Sequence, residues 1–62
     1  MYTLEVFYNG VLEHIERHSN AAAVLLRMRT LLEEHGGCEK IIVRFGSTRL
    51  FAVDCKGNRL PD

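Results

Sequence analysis

The chain is poor in features that announce a chemistry. Its eight basic and eight acidic side chains cancel, so it lacks the overall positive field of a dedicated duplex-DNA binder, and only a local basic patch could serve such a role. Two cysteines are too few for a disulfide scaffold. No apolar run approaches the roughly 20 residues needed to span a bilayer, so no membrane association through a helix is expected. No basic segment followed by an apolar stretch opens the chain, so no signal peptide is expected and a cytoplasmic location is the default. Repeats, low-complexity tracts and linkers are absent. The 62 residues are expected to make one domain near the lower size limit for independent folding, with a turn at Lys56-Gly57-Asn58 and the tail 56–62 ending extended or frayed at Leu60-Pro61.

What is present is globular: 47% hydrophobic and 26% charged residues. The clearest signal is a helix within Ser19 to Gly37. At about 100° per residue, Ala21, Val24, Leu25, Met28, Leu31, Leu32 and His35 fall in one arc of about 120°, which is the stripe of a helix with one buried face. Ser19 or Asn20 can cap the first free amides. Gly36 can take the left-handed conformation that ends a helix. Leu26 points away from the stripe, as a single exposed leucine or as a contact with a partner.

Two hairpins flank the helix. Tyr2 to Tyr8 alternates like a strand, Asn9-Gly10 is a strong two-residue turn signal, and Val11 to His18 returns. This register sets Tyr8 against Val11, Leu4 against Ile15 and Glu5 against His14. It also sets Glu13 beside Val6, a conflict that a sheet edge or a bulge would relieve. Cys38 to Phe45 and Thr48 to Cys55 form the second hairpin around Gly46-Ser47. Its register pairs Arg44 with Arg49, Val43 with Leu50, Ile42 with Phe51, Lys40 with Val53 and Cys38 with Cys55.

The pattern predicts an α+β fold, β-β-α-β-β, with one helix on one face of a four-stranded antiparallel sheet. The expected helix-facing set is Leu4, Val6, Ile15, Ile41, Val43, Phe45, Leu50 and Ala52. The opposite face would carry Phe7, Leu12, Ile42, Phe51 and Val53, with Glu5, His14, Lys40, Arg44 and Arg49 among them. So large an uncovered apolar surface is unusual for a monomer.

Catalytic and metal motifs do not emerge. His14 and His18 are four apart on a strand, about 13 Å, too far for one zinc ion. His35-x-x-Cys38 has no matching second pair. His35 is more simply a cation at a helix C-terminus. A nucleophilic Cys38 or Cys55 would need a base, an electropositive setting and a cleft. No enzyme activity, catalytic residue, metal or cofactor is expected. The function expected is a non-enzymatic protein-interaction module, a homodimer that also occupies a surface of a larger protein, as an inhibitor or adaptor encoded by a phage or mobile element would. Phe7, Leu12, Leu26, Lys40, Ile42, Arg44, Arg49, Phe51 and Val53 are its candidate binding residues. The alternative is a binder of single-stranded nucleic acid through the basic and aromatic part of that set.

Overall fold

A computed structural model describes residues 1–61. Strands β1 (Tyr2–Tyr8) and β2 (Val11–His18) precede helix α1 (Ala21–Glu34), and strands β3 (Lys40–Phe45) and β4 (Thr48–Asp54) follow it. All pairings are antiparallel and the order across the sheet is β2-β1-β3-β4. The α+β fold is therefore the one the sequence pattern predicts. The order has a physical reason. Ile41, Ile42 and Val43 are buried on both faces and suit an inner strand, whereas β2 carries the polar run Glu13-His14-Ile15-Glu16-Arg17-His18, as edge strands do.

Both turns form where expected. Asn9 (φ 51°) and Gly10 (φ 82°) occupy the left-handed region, as does Gly46 (φ 61°). Each hairpin then departs from simple two-residue register. In the first, Phe7 pairs with Leu12 but Val6 pairs with His14, so a bulge takes up Glu13. Leu4 consequently faces Glu16, and Glu5 faces Ile15. In the second, Arg44 pairs with Arg49 as expected, but Val43 pairs with Phe51, Ile42 with Ala52 and Lys40 with Asp54. A one-residue shift sends every following side chain to the other face.

The helix-facing core consists of Leu4, Val6, Ile41, Val43 and Val53 from the sheet, Val24, Met28 and Leu31 from α1, and Cys38. Phe51 and Cys55 pack against it. Phe51 and Val53 thus belong to the covered side, not the open face, and Ala52 does the reverse. Ile15 leaves the core for the open face, and His14 leaves the open face for the side of α1. Leu50 is 43% exposed at the second bulge. Phe45 is also exposed, stacked edge-on against Tyr2 with ring centroids 4.8 Å apart.

The helix is shorter than its sequence signals. Asn20 is the N-cap, its side-chain oxygen accepting from Ala23 N–H at 2.8 Å. The last turn closes with His35 N–H donating to the Leu31 carbonyl. His35 sits at φ −117°, and Gly36 is not left-handed. Leu25, assigned to the stripe, is 62% exposed, because only Val24, Met28 and Leu31 reach the core. Among the described residues no helix is long and apolar enough to cross a membrane.

Beyond β4 the chain turns at Lys56-Gly57-Asn58, where a turn is expected, and folds back along β4. Asp54 accepts at Oδ1 from the Lys56 and Asn58 amides, and Gly57 turns at φ 88°. Arg59 then bridges to Val53, and Leu60 N–H donates to the Ala52 carbonyl. These contacts cover the outer side of β4. Asp62, the last residue of the expected frayed tail, lies outside the described residues.

Candidate functional site

Reading the registers across the uncovered face gives three rows. Nearest the Asn9-Gly10 turn lie Leu12, Phe7, Lys40 and Asp54. The middle row is Ile15, Glu5, Ile42 and Ala52, and the far row is Arg17, Thr3, Arg44 and Arg49. Ile42 and Ala52 form a floor, 6% and 0% exposed. Leu12 and Ile15 stand open at 45% and 42%. Lys40 Nζ lies over the Phe7 ring, 5.4 Å from its centroid. Arg44 Nε donates to Glu5 Oε1 at 2.9 Å.

Eight of the nine sequence-predicted binding residues lie on one side of the sheet or the other. Phe7, Leu12, Lys40, Ile42, Arg44 and Arg49 share the open face, but Ile42 is buried. Phe51 lies on the opposite side, where Arg59 covers its ring at 4.4 Å, and Val53 lies in the core with it. Leu26, 69% exposed, projects from the outer surface of α1 and is not brought together with the others. Arg17 and Ile15 are the open-face residues that the unbulged register missed.

The bulge at Glu13 also builds a second polar cluster. His14, Glu16 and His18 alternate on one side of β2 and so face α1 together. Glu16 Oε2 lies 2.6 Å from His14 Nε2, and Oε1 lies 3.1 Å from His18 Nε2. An ionised carboxylate only accepts, so both ring nitrogens donate. Arg27 reaches the same carboxylate from α1, with Nε to Oε1 at 2.8 Å and its terminal nitrogen to Oε2 at 2.6 Å, and also pairs with Glu34. Arg27 hydrogen bonding, with help from both histidines, holds the Glu16 carboxyl at about 2. The 13 Å expected between His14 and His18 describes their backbone; their ring tips converge on one carboxylate.

Beside this cluster, Tyr8, Glu13, His14 and His35 line an open groove of about 470 Å³. The Tyr8 hydroxyl and His35 Nδ1 share a hydrogen bond of 2.8 Å, and the His14 and His35 rings lie 5.5 Å apart. Burial foremost, then Cys38 and Glu13, push the Tyr8 phenol above its ordinary range. The groove holds proton-bearing groups, but neither serine nor cysteine lines it. Among the described residues no three His, Cys, Asp or Glu side chains are gathered to hold a metal ion. The Cys38 thiol is pushed up, mainly by burial and next by Cys55, the reverse of what activates a nucleophile. Cys55 packs at the same core although the bulge removes the expected Cys38–Cys55 register.

No protein-family model matches the chain, and no curated protein or solved structure is significantly similar to it.

Proposed function

We propose that this chain is a small non-enzymatic protein-interaction module that docks on a larger protein through the sheet face that α1 leaves uncovered. The observation that carries the reading is the β2 side of that face, where Leu12 and Ile15 stand exposed next to Phe7 and Glu5 of β1. Apolar side chains ringed by charge on a rigid sheet are the anatomy of a docking patch. An inhibitor or adaptor role, of the kind small phage or mobile-element proteins fill, fits this mode of action. Cytoplasmic residence is part of the same proposal.

Two observations weigh against the nucleic-acid alternative. Phe51 lies on the far side of the sheet, and Lys40 lies over Phe7, so few aromatic faces remain for base stacking.

Differential capture tests the reading. Partner protein retained by the immobilised wild-type chain should be lost with Ile15→Asp and kept with Leu26→Asp. Both positions are exposed, so both variants should fold. Equal retention by Ile15→Asp would move docking off this face.

A further inference from the structure

The far row of the open face contains an electrostatic conflict. Arg44 and Arg49 are direct cross-strand neighbours, and Arg17 lies in the same row beyond Thr3. Like charges directly opposed on a sheet destabilise it unless an anion compensates. Glu5 supplies one carboxylate, committed to Arg44 at 2.9 Å. Among the described residues, neither Arg17 nor Arg49 makes an ion pair. Lys40 adds a fourth cation at the opposite end of the face. Asp54 offers little relief, because its oxygens accept from Lys56 and Asn58.

We infer that the occupant of this face is an acidic, aliphatic segment of another protein, its carboxylates over Arg17, Arg44 and Arg49 and its apolar side chains over Leu12, Ile15 and Ile42. The inference rests on the docking reading above and adds the partner's chemistry. Arginine is suited to the role, since its planar fork meets a carboxylate in two hydrogen bonds. Neighbouring rows on one face lie two residues apart, about 6.7 Å, so one segment can satisfy the charged row and the apolar row together. A second copy of this chain fits less well, because each face carries four cations and only two carboxylates, Glu5 paired with Arg44 and Asp54 accepting from Lys56 and Asn58. Single-stranded nucleic acid would satisfy the arginines but leave Leu12 and Ile15 without apolar partners.

The test titrates the ¹⁵N-labelled chain with three probes: a short peptide of Glu and Leu, the same peptide with Gln for Glu, and an oligothymidylate. The Glu peptide should shift the amides of Thr3, Arg17, Arg44 and Arg49, and bind more tightly than the Gln peptide. Replacing both Arg17→Gln and Arg49→Gln should weaken it roughly tenfold, as two exposed ion pairs near the top of their ordinary range would. Both side chains are exposed, and an unchanged circular-dichroism melt verifies the fold. Equal binding of the two peptides at this face overturns the acidic partner and leaves the docking face standing. Failure of both peptides to bind there overturns both readings. Tighter binding of the oligothymidylate overturns the protein partner in favour of nucleic acid.

Discussion

Arg27 closes on Glu16 across the seam between helix and sheet, gripping both carboxylate oxygens, while His14 and His18 hold the same group from the strand. The Glu16 side chain is 16% exposed, so this is the most shielded ion pair joining α1 to β2. Its carboxyl sits at about 2, below its ordinary 4.5. A carboxyl lowered in the folded state stabilises the fold fully above the unfolded value and loses that contribution as pH falls toward the folded one. Wild-type stability should therefore decline between about pH 4.5 and about pH 2. Glu16→Gln should lower stability at neutral pH by roughly 1–3 kcal/mol and flatten that decline. Urea denaturation across the pH range reads both effects, and an unchanged acid slope in the variant would contradict the assignment.

How far this cluster was legible in the sequence depends on one residue. The elements and the Asn9-Gly10 turn follow from local chemistry and form as read, and of the two cap candidates Asn20 takes the role. Strand faces do not, because one extra residue reverses everything beyond it. Glu13 beside Val6 was the visible warning. Accepting a bulge there places His14 and Glu16 under α1, within reach of Arg27 on the helix flank. The second bulge had no comparable signal, since both faces of β4 offer apolar residues. That is why Phe51 and Val53 were placed on the wrong side while Arg44 and Arg49 were correctly paired. The turn at Lys56-Gly57-Asn58 is legible in the sequence, but the return of Leu60 onto the Ala52 carbonyl is a backbone contact that no side-chain pattern reveals.

Gly57 tests that tail. Its φ of 88° is strained for any L side chain, and an added Cβ would lie 3.3 Å from Leu32 Cδ1. Gly57→Ala should cost about 1–2 kcal/mol. Amide exchange should quicken at Leu60, which donates to Ala52. A neutral substitution with Leu60 still protected would contradict the turn.

The two cysteines should react unequally. Cys38 is buried and its thiol raised, whereas Cys55 is only partly buried. Alkylation of the native chain followed by peptide mass mapping should label Cys55 first and Cys38 only as the chain opens. Simultaneous labelling would contradict the packing around Cys38.

Self-association should respond to salt in a particular direction. The excess of positive charge on the open face opposes face-to-face stacking of two copies, and salt screens exposed charges. Sedimentation velocity should find monomer at low ionic strength, with any dimer growing as salt rises. A stable dimer at low salt would instead favour the homodimer expected from the apolar residues read onto the open sheet face.

Amide hydrogen exchange on the complex with a captured partner tests the docking face most directly. Comparison with the free chain should show added protection in β1 around Thr3–Glu5, in β2 around Ile15–Arg17 and in β3 around Ile42–Arg44, with α1 unchanged. Added protection confined to α1 around Leu25 and Leu26, with the sheet unchanged, would contradict the account.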